Sequence, residues 1–189
     1  MATTSASIDL PVPAEHVWRL IGGFGSLPDW LPYIPASDLA EGGRVRRLTS
    51  KGGDVIVERL ETFDERARTY TYSFVQSPFP VTGYRSTLAV REAPGHRGCR
   101  VEWSGSFTPV GATTDDEAIA LFHGIYADGL AALKQVVGAG QPLGVPCRAF
   151  AGPRRDGVAA KQHGREHDIG SLTVPRHRRL GELPEPLHP

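Results

Sequence analysis

Apolar and polar positions change their period along this chain. Over residues 5–12, Ser5-Ala6-Ser7-Ile8-Asp9-Leu10 alternates loosely, as a strand with one wet face does. Pro13 then opens a helix with Glu15 in its first turn and Val17, Trp18, Leu20 and Ile21 on its apolar side, ending at Gly22-Gly23. A second short helical piece is predicted around 27–31, before Pro32. From Gly43 the period drops to 2, which predicts strands over 44–50, 55–63, 69–76, 84–91 and 100–108. Their separators, 51–54, 64–67, 77–80 and 93–98, are rich in turn residues. Connections this short mean an antiparallel meander.

The last patterned element is a helix. Thr114-Asp115-Asp116-Glu117 reads as a capping box, with acidic residues where the helix dipole favours them. Ile119, Phe122, Tyr126, Leu130, Leu133 and Val137 follow at helical spacing, and Gly138 stands where a C-terminal cap belongs. An apolar stripe of this length needs a sheet to lie on.

Alternation also assigns the sheet's faces. Tyr70, Tyr72 and Phe74 oppose Thr71 and Ser73; Tyr84, Ser86, Leu88 and Val90 oppose Arg85 and Arg91; Val101, Trp103 and Phe107 oppose Glu102, Ser104 and Ser106. In each case the aromatic set must face inward. The segment 55–63 breaks the rule, because the face with Ile56 and Leu60 also turns Glu58 inward. A carboxylate in an apolar interior needs an arginine, a water network or a ligand, or its pKa rises. Arg46 on the preceding strand is the candidate brace, and anchoring a ligand is the competing role. Tyr72 and Tyr84 are either ligand contacts or core rings with satisfied hydroxyls. Trp30 and Phe24 either cover a pocket or seal the short helices onto the sheet.

Composition divides the chain. Residues 1–137 hold 13 basic and 16 acidic residues, net −3, and residues 138–189 hold 8 and 5, net +3, so the total is zero. The last 52 residues contain 8 Gly and 7 Pro, with Phe150 as their one aromatic. The expectation is a folded domain over 1–137 and a largely disordered tail over 138–189. Zero net charge gives no global pull toward nucleic acid or an anionic membrane. No apolar run is long enough to span a bilayer. Cys99 and Cys147 are too few for a disulfide scaffold, which fits a cytoplasmic protein better. His163 and His167 have metal-ligand spacing, but in a Gly/Pro-rich segment they read as adventitious, so no metal is expected. Arg176-His177-Arg178-Arg179 is short for nucleic-acid binding. His123 and Asp128 do not share a helix face, so His123 reads as a surface residue.

The order of elements, together with Pro13-Ala14-Glu15-His16-Val17-Trp18, Glu58-Arg59-Leu60-Glu61 and Tyr84-Arg85-Ser86, resembles the START-like (SRPBCC) superfamily. That group includes polyketide cyclase/dehydrase-like bacterial proteins and the plant abscisic acid receptors. The resemblance spans 1–137. It implies an α+β helix-grip fold, with a curved antiparallel sheet wrapped around one long C-terminal helix and two short helices after the first strand. It also implies a mainly apolar cavity between sheet and helix. In the abscisic acid receptors the residues matching Glu58, Tyr84 and Ser86 make water-mediated ligand contacts. Their gate and latch loops match 50–54 and 77–81, but Lys51-Gly52-Gly53 and Phe79-Pro80-Val81 replace the receptor motifs, which argues against hormone reception.

The candidate ligand-binding set is therefore Glu58, Tyr72, Phe74, Phe79, Tyr84, Ser86, Leu88, Trp103, Phe122 and Tyr126. The expected partner is a small hydrophobic ligand such as a lipid, polyketide or isoprenoid-like compound. No cofactor, nucleic acid or integral membrane association is expected, and oligomeric state stays open. Two other readings stand beside it. One is a cyclase/dehydratase-type enzyme in which Glu58 or Tyr84 moves protons. The other is a non-catalytic interaction module that docks a partner through its basic tail.

Overall fold

A computed structural model describes residues 1–93 and 98–139, which belong to the unit Met1–Val145; a second unit comprises Pro146–Pro189. The elements run β1 (Ala2–Leu10), α1 (Ala14–Ile21), α2 (Leu27–Trp30), β2 (Ala36–Ala40), β3 (Val45–Thr49), β4 (Val55–Asp64), β5 (Thr69–Gln76), β6 (Val81–Glu92), β7 (Cys99–Pro109) and α3 (Asp115–Gly138). The seven strands among the described residues form one antiparallel sheet in the order β1-β7-β6-β5-β4-β3-β2. β1 lies beside the last strand, so the α1–α2 segment carries the chain from one sheet edge to the other. No helix among the described residues is long and apolar enough to cross a membrane.

The strands follow the alternation closely, with three corrections. β2 has no counterpart among the expected strands. Its residues Ala36-Ser37-Asp38-Leu39-Ala40 are half-buried or exposed, so it has no apolar period and exists through backbone pairing with β3 alone. β1 begins at Ala2 and ends at Leu10, earlier than its ragged pattern suggested. β6 also starts sooner, at Val81, and its register with β7 breaks between Thr82 and Arg85, where Gly83 takes φ +62°. Such a break bends a strand, and only glycine adopts that φ without strain.

At the start of α3 the Thr114 side chain accepts from the Glu117 N–H at 3.2 Å, and Glu117 accepts from the Thr114 N–H at 2.8 Å. Both halves of the capping box are thus formed. The helix continues through Gly138 and is capped by Ala139, whose N–H reaches the Gln135 carbonyl at 2.9 Å, so Gly138 is not its stop. Its buried stripe is Ala118, Phe122, Tyr126, Gly129, Leu130 and Leu133. Ile119 and Val137 are only half-buried against the core. This stripe meets the inner faces of the strands, where Tyr70, Tyr72, Tyr84, Leu88, Val101, Trp103 and Phe107 are all buried. The turn at 94–97, the tail assignment over 140–189, Cys147, His163, His167 and the 176–179 basic run lie outside the described residues.

Candidate functional site between sheet and helix

Register places the inner side chains in rows across the sheet. Leu60 pairs with Tyr72, Tyr72 with Ser86, and Ser86 with Gly105. Side-chain size falls steeply along that row, from a phenol to a hydroxymethyl to nothing. Larger groups from elsewhere occupy the space. The Trp103 indole N–H donates to the Tyr72 hydroxyl at 3.0 Å and to Ser86 Oγ at 3.1 Å. Ser86 in turn donates to the Ser104 carbonyl at 2.8 Å. The Tyr126 hydroxyl comes down from α3 onto Gly105, where an added Cβ would lie only 2.1 Å from it. There it meets the Tyr84 hydroxyl at 2.7 Å. Burial pushes the Tyr84 and Tyr72 phenols well above their usual range, so they serve as neutral donors and acceptors.

Around this network stand aromatic rings. Phe74 stacks on Tyr84 with centroids 3.7 Å apart, and Phe122 touches Tyr84 at 4.9 Å and Phe107 at 4.6 Å. Trp103 stacks on Tyr126 at 5.0 Å. Phe79, in the β5–β6 loop, covers Phe122 at 5.3 Å and Phe74 at 5.7 Å. Phe74 and Phe79 are half-buried whereas the rings behind them are buried, so this pair marks where the aromatic interior comes nearest to solvent. Leu88 is fully buried between Tyr70 and Trp103 in the strand register.

Glu58 does face inward and is 4% exposed. Its carboxylate accepts from Arg46 Nε at 2.5 Å, and Arg46 Nη1 also donates to the Phe24 carbonyl at 2.8 Å. The guanidinium lies 4.2 Å from the Phe24 ring centroid and 4.8 Å from that of Tyr72. Burial raises the Glu58 carboxyl, and the neighbouring Arg46 opposes that rise. Burial alone would lower Arg46, but Glu58, Tyr70 and Tyr72 more than reverse it and hold it charged. The brace foreseen for Glu58 is therefore present, and it ties β3 to β4 beneath the aromatic interior.

Trp30 and Phe24 sit inside rather than on the rim, at 1% and 7% exposure. Trp30 packs on Trp103 at 5.8 Å and Phe24 edge-on to Tyr70 at 5.9 Å. His123 is exposed on α3 and its Nδ1 lies 3.0 Å from the Ser5 carbonyl on the edge strand β1. No group of His, Cys, Asp and Glu that could hold a metal occurs among the described residues. On the opposite sheet face a groove of about 460 Å³ is lined mainly by Thr3, Ser5, Thr87, Ser104, Ser106 and Arg85. Those hydroxyls and one guanidinium contrast with the ring-lined interior.

Sequence reasoning missed Gly105 and Gly129, which let α3 approach. A Cβ on Gly129 would fall 2.7 Å from the Trp103 ring and 3.0 Å from the Tyr33 hydroxyl. A glycine on the inner side of an alternating strand and another within a helix stripe were the available signals.

With the geometry in place, residues 1–138 match the family model for polyketide cyclase / dehydrase and lipid transport. The chain belongs to this family. The solved structure of the protein XoxI from Bacillus cereus is 58% identical, covering 71% of this chain and 94% of that one, with a TM-score of 0.69. A START superfamily protein from Mycobacterium smegmatis shares the fold at 17% identity, covering 74% of this chain and 99% of that one, with a TM-score of 0.58. The di-domain ARO/CYC protein BexL matches at 23% identity over 73% of this chain and 47% of that one, with a TM-score of 0.61. Family membership and the helix-grip architecture agree: this is a hydrophobic ligand-binding fold.

Proposed function

We propose that the protein binds a hydrophobic or aromatic small molecule, such as a lipid, a polyketide or an isoprenoid-like compound, between α3 and the inner face of the sheet. The supporting observation is the run of rings from the half-buried Phe74–Phe79 pair inward to Phe122, Tyr84 and Phe107, and through Tyr126 to Trp103. Such a lining offers apolar area and a few hydroxyls, as small-molecule sites do. Entry displaces Phe79, which Pro78 and Pro80 flank on a short loop.

The test is titration with the neutral fluorophore N-phenyl-1-naphthylamine. One saturable site is expected in the native protein, weakened by Phe79→Ala and by Trp103→Phe. Absence of saturable binding, for this probe and for a panel of aromatic, sterol and fatty-acyl compounds, would sink the proposal.

A second reading, a cyclase/dehydratase-type reaction in the same interior, draws support from Glu58, a buried carboxyl raised by its surroundings. Glu58→Gln separates the two. An acid/base role predicts lost turnover with ligand affinity kept, a recognition role predicts lost affinity for polar ligands alone, and a role confined to bracing Arg46 predicts lost stability with affinity unchanged, in which case both functional roles of Glu58 fail.

A further inference from the structure

The outward side of the sheet carries a concavity of its own. Strand register sets two short rows there: Thr87 beside Ser104 beside Ser5, and Arg85 beside Ser106 beside Thr3. Neighbouring strands stand about 4.8 Å apart and like-facing rows about 6.8 Å apart, so these positions share a patch roughly 10 Å by 7 Å. Short hydroxyl side chains beside one long guanidinium leave the groove of about 460 Å³. It lies across the sheet from the aromatic interior, and no ring lines it.

Its polar groups are poorly matched within the chain. Thr87 bonds to Thr71 at 2.9 Å, but among the described residues the side chains of Ser104, Ser106, Thr3 and Ser5 make no hydrogen bond. Elsewhere on the sheet, guanidinium groups close on carboxylates: Arg91 on Glu102 at 2.9 Å, Arg100 on Asp9 at 2.8 Å and Arg59 on Glu41 at 2.8 Å. Arg85 does not. Its partner Glu61 stands 3.8 Å away, beyond hydrogen-bond reach, and accepts from Ser73 with its other oxygen at 2.6 Å. The Arg85 side chain is 55% exposed, so its fork is open to an oxyanion arriving from solvent.

A guanidinium takes two oxygens of a carboxylate or a phosphate. A phosphate keeps a further oxygen for a neighbouring hydroxyl, and Ser106 stands directly across from Arg85. The remaining hydroxyls both donate and accept, which is the chemistry of a polyol. We propose that this outer groove binds a small phosphorylated polyol, such as a sugar phosphate, with Arg85 and Ser106 on the phosphate and Ser104, Ser5 and Thr3 on the polyol hydroxyls. This site is separate from the interior one and stands or falls without it.

Glucose 6-phosphate, glucose and inorganic phosphate test it, by amide-shift titration of the ¹⁵N-labelled full chain. Glucose 6-phosphate should bind with a Kd on the order of 1 mM and move the amides of 3–5 and 104–106. Inorganic phosphate and glucose should each bind at least about fivefold more weakly, since each lacks part of the contacts. Arg85→Gln should weaken glucose 6-phosphate about tenfold, the loss of a charge-assisted bond. Glu61→Gln should tighten it about twofold, because the competing carboxylate is gone. General damage to the sheet would not move the two variants in opposite directions. Unmoved groove amides at about 20 mM glucose 6-phosphate would overturn the proposal. So would binding that survives Arg85→Gln, or equal affinity for inorganic phosphate, which would mean an anion contact only. Should Arg85→Gln fail to fold, Glu61→Gln decides alone, and unchanged or weaker binding counts against the site.

Discussion

Gly105 is where the fold is most tightly constrained by a missing side chain. A Cβ there would stand 2.1 Å from the Tyr126 hydroxyl and 3.2 Å from its Cζ. Carbon and a non-bonded oxygen need more than 3 Å, so Gly105→Ala must displace the phenol by roughly 1 Å. Tyr126 cannot swing away cheaply, because it is fully buried with Trp103 stacked on it and Phe122 beside it. Overpacking of this kind costs about 1–3 kcal/mol, and losing the Tyr84–Tyr126 hydrogen bond adds about 1 kcal/mol. Reduced unfolded-state freedom returns about 0.4–1 kcal/mol. The net expectation is a loss of about 2 kcal/mol. In urea, with a slope near 1–3 kcal/mol/M, the midpoint should fall by roughly 1 M. The decisive assay is a double-mutant cycle with Tyr126→Phe. Removing the hydroxyl makes room for the methyl, so the double variant should be about as stable as Tyr126→Phe alone, a coupling of 1 kcal/mol or more. Additivity within about 0.5 kcal/mol, or a Gly105→Ala protein as stable as the parent, would refute the close approach.

Breaking the Arg46–Glu58 pair from either side, by Arg46→Met or Glu58→Gln, is expected to cost about 3–5 kcal/mol in urea unfolding, while the joint apolar replacement Arg46→Met with Glu58→Leu recovers most of it. Single losses under 1 kcal/mol would show the charges to be hydrated. Cys99 is fully buried, and burial first, then Asp9, pushes its thiol up to about 11. In a Cys147→Ser background its labelling by a disulfide reagent at pH 8 should be limited by unfolding, and fast labelling of the native protein would contradict this burial. Because its folded pKa lies above the unfolded value near 9, this group's contribution is complete below pH 9 and is lost as pH rises toward 11.

How much of this was legible beforehand depended on whether the deciding contact was local. Tyr70, Tyr72, Trp103 and Phe107 were placed inward because their strand neighbours Thr71, Ser73, Ser104 and Ser106 are hydroxylated, and alternation needs no partner to be read. The Thr114–Glu117 box spans four residues and was equally plain. Glu58 stood out because one acidic side chain broke an otherwise apolar face. β2 left no such mark: it pairs on one side, buries little, and is held by backbone hydrogen bonds that any sequence can make. The Tyr84–Tyr126 bond joins residues 42 apart, and the contact of Tyr126 with Gly105 depends on where α3 comes to rest.

The way polar groups are committed inside the grip bears on binding against catalysis. Proton transfer by Glu58 would require its carboxylate to loosen from Arg46, leaving a guanidinium buried among Phe24, Tyr70 and Tyr72. Leaving such a charge uncompensated costs several kcal/mol, which would be added to any barrier the reaction already has. Tyr84 would have to give up its bond to Tyr126, and burial holds its phenol far above the range useful for a base near neutral pH. Binding makes no such demand. Under the binding proposed above, a neutral ligand that displaces Phe79 and spreads over the rings leaves the Arg46–Glu58 pair intact. The arrangement therefore favours recognition, and turnover would need a ligand that itself supplies the group that releases Glu58 from Arg46.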